Sequence, residues 1–159
     1  MVNVTPIQQV RFWSKVTESG SCWQWSAARD PAGYGCVTIN KEPHKAHRIS
    51  YEITRGPIPP GAMLDHSCHN RSCVNPEHLR VVTTKQNGEH RSKSNSNSKS
   101  GVRGVFWYPN YRRWVARVRH NGRLIHVGYF DTVAEAERAV MAKRNELFTH
   151  NDADRTATA

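Results

Sequence analysis

Between Leu64 and Asn87 the chain reads LDHSCHNRSCVNPEHLRVVTTKQN. This stretch sets an Asp-His pair, two cysteines, a further His and a late Asn close together, more metal-ligating side chains than an ordinary loop carries. Two kinds of metal chemistry overlap in it. Cys68, Cys73 and His78 form a Cys-x4-Cys-x4-His run, and thiolate with imidazole is the donor set of tetrahedral zinc, one ligand short. Asp65, His66 and Asn87 offer carboxylate, imidazole and amide oxygen, a harder set suited to magnesium or manganese with a base beside it.

Local patterning supports that division. Ala62 to His66 reads as a short strand ending on His66, the Ser, Asn and Pro-rich Ser67 to Glu77 as a loop, and Leu79 to Val82 as a second strand. Thr83 or Thr84 then caps a helix whose first turn holds Asn87, so the hairpin and helix can fold Asn87 back beside Asp65 and His66. This order is the ββα-metal arrangement.

The spacing His66-x-Cys68-x4-Cys73-x4-His78-x8-Asn87 resembles the HNH nuclease superfamily, specifically phage and intron-encoded homing endonucleases of the zinc-bearing His-Cys box type. The resemblance implies that His66 is the general base, that Asn87 holds a catalytic magnesium, and that the intervening residues bind structural zinc. It also implies an upstream cysteine as fourth zinc ligand, for which Cys22 in CWQW is a better match than Cys36. Asp65 departs from the His-Cys box and resembles the Asp-His pair of phage HNH nickases, where the Asp is a second metal ligand. The number of protein ligands on the magnesium stays open.

The chain has 159 residues, enough for one ordinary domain or two small ones with modest cores. Its four cysteines come with no secretory leader and no apolar run of membrane length, so metal binding in a reducing, intracellular compartment is expected over disulfides. The formal net charge is +10, which calls for a polyanionic partner. Position sharpens this: Lys93, Lys99, Arg103, Arg112, Arg113, Arg117, Arg119 and Arg123 fall in a span free of acidic residues and threaded with Trp107, Tyr108, Tyr111 and Trp114. Such a span suits phosphates and base edges.

Thr5-Pro6 starts a short helix with Ile7, Val10, Phe12, Trp13 and Val16 on its apolar side. Cys22 to Trp25 and Tyr34 to Ile39 read as strands of one hairpin around the turn-rich ARDPAG, which would carry Cys22 toward the zinc. Lys45 to Thr54 reads as a helix ended by Arg55-Gly56-Pro57. The Ala46-His47-Arg48 on it resembles the AHR that precedes the hairpin in phage HNH proteins, which makes Arg48 a contact for the scissile phosphate. An Arg48–Glu52 pair one turn apart is the alternative, and His47 reads as structural.

Gly88 to Ser100 changes to Ser, Asn and Lys without an apolar residue and reads as a flexible linker, assigned to residues 91–100 between a nuclease domain at 1–90 and a second module at 101–149. Val102 to Trp107, Arg113 to His120 and Leu124 to Phe130 read as three antiparallel strands, with Asn121-Gly122 a hairpin turn. A helix follows a Thr132/Glu135 capping box, with Ala136, Ala139, Val140, Lys143 and Leu147 as its stripe. Alternation sends Trp114, Ala116 and Val118 toward that helix and leaves Arg117 and Arg119 outward. Arg103-Gly104-Val105, Trp114-Val115-Ala116, Val118-Arg119 and Gly128-Tyr129-Phe130-Asp131-Thr132 resemble the Apetala-two/ethylene-response-factor DNA-binding domain. That resemblance implies that Arg103, Arg117, Arg119 and His126 face duplex DNA, with Arg112, Arg113 and Arg123 on phosphates. Residues 150–159 read as a disordered tail.

The expected class is therefore α+β: a zinc-bearing ββα-metal nuclease domain, a linker, and a three-stranded sheet with one helix. The expected activity is site-specific hydrolysis of double-stranded DNA, with no membrane role and a homodimer as one arrangement that would cut both strands. The rival from another class is a non-catalytic zinc DNA-binding transcription regulator. Asp65-His66 with Asn87 separates the two, because a structural zinc module needs neither a base nor a hard-metal amide.

Overall fold

The computed structural model describes residues 2–91 and 94–157. Lys93, named above as part of the basic span, lies outside them, as does the end of the tail. The chain divides into two units, up to Thr84 and from Lys85 onward.

The first unit begins with α1 (Pro6–Trp13), capped by Thr5 and Gln8 in a reciprocal capping box with Pro6 in its first turn. Three antiparallel hairpins and one helix complete it. β1 (Val16–Ser19) pairs with β2 (Cys22–Trp25), and β3 (Cys36–Ile39) pairs with β4 (Glu42–Lys45). The expected hairpin joining Cys22–Trp25 to Tyr34–Ile39 is thus replaced by two local ones. Asn40 and Lys41, at φ 51° and 68°, make the tight two-residue turn between β3 and β4, and a turn of that hand favours adjacent strands over a distant partner. α2 (Ala46–Arg55) then leads to β5 (Met63–His66), a single 3-10 turn (Pro76–His78) and β6 (Leu79–Val82), which pairs with β5.

The core of this unit gathers Phe12, Trp25, Val37, Ile39, Ala46, Ile49 and Val74. Trp25 is fully buried, and a Cβ at Gly35 would sit 2.7 Å from its ring and 3.0 Å from the Ala46 Cβ. Gly35 is therefore fixed by close approach, a constraint from packing.

The second unit opens with α3 (Thr84–Glu89) and holds a three-stranded antiparallel sheet, β7 (Val105–Tyr108), β8 (Arg113–His120) and β9 (Arg123–Phe130), in that order. β7 starts three residues later than the pattern predicts, because Gly104 takes φ 87° where its carbonyl receives the Arg117 N–H. α4 (Val133–Leu147), capped by Thr132 and Glu135, lies on one face, where Val105, Ala116, Val118, Ala136, Val140 and Phe148 form the core. Arg144, not Lys143, occupies the buried position on its stripe.

The boundary at Thr84/Lys85 differs from the expected one at residue 90. The Glu89 carboxylate is buried and accepts from the backbone N–H groups of Thr149 (2.9 Å) and His150 (3.3 Å) and from the Thr149 hydroxyl (3.1 Å). These bonds tie α3 to the end of the second unit. The tail likewise carries α5 (Asp152–Ala157). Its Asp154 pairs with buried Arg144, whose guanidinium would otherwise lack a countercharge.

Candidate functional site

Four side chains from separate segments of the first unit converge: Cys22, Cys68, Cys73 and His78, with all ligand atoms within 4.8 Å of one another. The His78 Nδ1 lies 3.6 Å from both the Cys22 and the Cys73 Sγ, and tetrahedral zinc with ordinary Zn–S and Zn–N lengths requires an S···N edge of about 3.6 Å. The donor set and its spacing fit zinc. β2 brings Cys22 there by running antiparallel beside residues 72–74, with Trp25 N–H on the Ser72 carbonyl (2.9 Å) and Val74 N–H on the Trp23 carbonyl (2.7 Å). Asn75 fastens the arrangement: its Nδ2 donates to the Ser21 carbonyl, its Oδ1 caps the 3-10 turn that ends on His78, and its N–H points at the Cys73 sulfur (3.4 Å). Cys36 stands outside the group, its Sγ near the Tyr34 carbonyl. Burial pushes the Cys73 thiol up to about 12, so a thiolate there requires a cation in contact.

His66, the last residue of β5, is buried, and its Nε2 donates to the Cys73 carbonyl at 3.0 Å. A carbonyl only accepts, so the proton sits on Nε2 and the lone pair on Nδ1. Cys73 therefore serves two centres, its sulfur in the thiol group and its carbonyl on the base. His47 packs against His66 with ring centroids 4.7 Å apart, and Tyr34 touches both at 5.4 and 5.9 Å. Burial lowers the pKa of His66, and lowers that of His47 to about 3.

This has a consequence for stability. A His that is neutral in the fold but titrates near 6.5 when free leaves the unfolded chain holding the extra proton below pH 6.5. The His47 contribution is complete above about pH 6.5 and is lost between there and about pH 3, at about 1.4 kcal/mol per pH unit. Chemical denaturation at pH 7.5 and pH 5 is expected to show this loss in the wild type and a smaller one in His47→Phe.

The other predicted residues are placed as follows. Asp65 sits opposite Arg80 in the β5–β6 register and accepts from its Nε at 3.1 Å. Adjacent strand residues project to opposite faces, and here Asp65 meets Arg80 while His66 meets His47 and Cys73. Arg80 escaped the sequence reading, although Asp and Arg directly across an antiparallel pair are a recognisable signal once the register is known. Arg48 is half-buried on α2, and its side chain makes no hydrogen bond or ion pair among the described residues. Glu52, its alternative partner, accepts from the Val2 N–H at 3.0 Å. Tyr34 also escaped notice. Its ring faces Arg71 and Lys45 as well as the two histidines. Asn87 lies half-buried on α3, in the second unit.

In the second unit the sheet face away from α4 presents Arg117 opposite His126 and Arg119 opposite Leu124. Arg112, Arg119, Arg123 and His126 are exposed, and Arg113 is exposed while paired with Asp131 at 3.0 Å. Arg103 is turned inward instead of facing a partner. Its guanidinium donates to the carbonyls of Gly88 (2.9 Å), Glu89 (3.0 Å) and Arg91, lies 5.5 Å from the Phe148 ring centre, and is lowered by burial to about 10. Gly104 beside it forces this course on the chain. Arg103→Ala is expected to destabilise the second unit by about 3 kcal/mol, read by thermal melting, since the charged donors of a half-buried guanidinium to three carbonyls are lost together.

Comparison with known proteins gives a family for part of the chain. Residues 44–89 match the HNH endonuclease family. The chain is 38% identical to Protein 7.7 of Escherichia phage T7 over 68 residues, 43% of this chain and 52% of that one. It is 41% identical to Protein 2.8 of the same phage over 76 residues, 46% and 50% of the two chains. Against the uncharacterized gene 5.3 protein of Enterobacteria phage T3 the identity is 42% over 53 residues, 33% and 50% of the two. The chain spans about half the length of these curated relatives. No solved structure matches, and among the described residues no helix is long and apolar enough to cross a membrane. The matched span contains His47, Arg48, Asp65, His66, Cys68, Cys73, His78 and Asn87, so the chain carries an HNH endonuclease domain at residues 44–89.

Proposed function

We propose that the chain is a site-specific DNA endonuclease of the homing type, with His66 as the general base. The observation that carries this is the hydrogen bond from His66 Nε2 to the Cys73 carbonyl, which leaves Nδ1 as a neutral acceptor held in one orientation. Nδ1 takes a proton from water as that water attacks phosphorus in line with the leaving 3′ oxygen, giving 5′-phosphate and 3′-hydroxyl ends. Asp65 would be a ligand of magnesium or manganese, whose charge would stabilise the pentacovalent phosphate and the leaving oxygen, and Asn87 is proposed as an amide-oxygen ligand of such an ion. The carboxylate and amide oxygens are the hard donors such an ion takes. Arg48, with its guanidinium uncommitted, neutralises further phosphate charge. Cys22, Cys68, Cys73 and His78 would hold a structural zinc, which would keep the Cys73 carbonyl against the base.

The second unit supplies recognition, in the manner of the Apetala-two/ethylene-response-factor domain that its strands resemble. Arg117, Arg119 and His126 would face the major groove of duplex DNA, with Arg112, Arg113 and Arg123 on phosphates. One catalytic centre per chain nicks as a monomer or cuts both strands as a homodimer.

The test is cleavage of a duplex library with magnesium, manganese or EDTA, with ends mapped at single-nucleotide resolution. Metal-dependent cuts at a recurrent sequence, bearing 5′-phosphates, are expected. A zinc-loaded protein that binds duplex and cuts with neither metal would instead be the non-catalytic regulator.

A further inference from the structure

The second unit contains a cavity of about 800 Å³ between residues 94–99 and the sheet. Where β7 begins, opposite Ala116, the strand pairing of β8 on that side ends, and Arg117 and Arg119 continue past it. The cavity lies along this stretch. Among the described residues no acidic side chain lines it, and its cations divide into two groups. Arg91, Arg103 and Arg144 are consumed internally, by the Asn95 amide oxygen, by carbonyls and by Asp154. The side chains of Lys99, Arg117 and Arg119 make no hydrogen bond or ion pair among the described residues. Phe106 and Trp107, 52% and 41% exposed, add two aromatic faces, and Asn95 and Asn97 add amide donors and acceptors from the facing segment.

We propose that this cavity binds an unpaired nucleic-acid strand, so that the protein favours DNA carrying a single-stranded stretch over a fully paired duplex. The inference rests on the reading that the chain acts on DNA and names the class of DNA it prefers. Uncommitted cations for the backbone, aromatic faces for base stacking, and amides within reach of base edges are together the requirements of single-strand binding. Size selects the strand over the duplex. A cavity of this volume, within the range of about 300–1,000 Å³ that encloses small molecules, takes one or two nucleotides and cannot admit a base-paired helix. Because Arg117 and Arg119 border both the cavity and the open sheet face, a strand leaving a duplex held on the sheet can pass directly into it.

The test uses the full chain with zinc and three fluorescein-labelled probes of related sequence: a duplex, the same duplex with an unpaired flap, and an oligothymidylate. Fluorescence anisotropy is expected to show the flap duplex bound about tenfold more tightly than the plain duplex, and the oligothymidylate bound measurably. Phe106→Ala and Lys99→Glu, both at exposed positions, are expected to remove that preference and leave plain-duplex affinity within about twofold, with melting unchanged. Equal affinity for flap and plain duplex overturns the inference alone, as does an equal loss on all probes in both variants. Binding of the oligothymidylate without any duplex binding supports the cavity and overturns the role given to the sheet. No binding to any of the three overturns both the inference and the proposed function.

Discussion

His66→Ala is expected to lower the single-turnover rate of DNA cleavage by roughly 10²–10⁴-fold while zinc content and duplex affinity stay at wild-type values. The size follows from the role. Alanine removes the group proposed to accept the proton of the attacking water, and solvent is a poor substitute at neutral pH. The selectivity of the effect follows from position: His66 ends β5, its one polar bond is to a carbonyl, and the hairpin is held by its ladder to β6. The pH profile adds an independent check. Burial lowers the His66 pKa, so the base stays neutral below its ordinary value, and the acid limb of the rate should fall below pH 6.5. A His66→Ala protein that cleaves near the wild-type rate would remove this residue from the chemistry.

Cys73→Ser is expected to abolish the melting transition of the first unit and reduce bound zinc to background. Structural zinc contributes on the order of 10–16 kcal/mol of apparent binding free energy in small modules, as large as the whole stability of a typical domain, about 5–15 kcal/mol. The unit has little else to fall back on, since its sheets are separate two-stranded pairs around one small core. Cys22→Ser should behave alike because its sulfur is part of the same group, whereas Cys36→Ser should retain zinc and fold. Elemental analysis with calorimetry on the three variants decides the matter. Zinc retained by Cys73→Ser would separate the cluster from the metal, and zinc lost from Cys36→Ser would reassign the fourth ligand. Cleavage should fail together with zinc, because the carbonyl that fixes the His66 proton belongs to Cys73.

What the sequence by itself determined was local. The Cys68, Cys73 and His78 spacing, the strand ending on His66, the Thr5 cap, the Thr132/Glu135 capping box and the apolar alternation of β8 depend on neighbours a few residues away, and all are visible in the chain as written. Tertiary structure decided the partners at a distance. Cys22 joins the cluster because β2 hydrogen-bonds beside residues 72–74, although the strand pattern pointed to a different hairpin. Asp65 meets Arg80 through the β5–β6 register. Arg103, which by position in the chain belonged with the outward cations, folds inward because the carbonyls of Gly88, Glu89 and Arg91 lie within reach of its guanidinium. His47 and His66 become a buried pair only when α2 and β5 pack together. The physical reason is the same in each case. Propensity, capping and alternation are properties of a short segment, while desolvation, a countercharge or a filled coordination position requires a second segment whose arrival the first one does not encode.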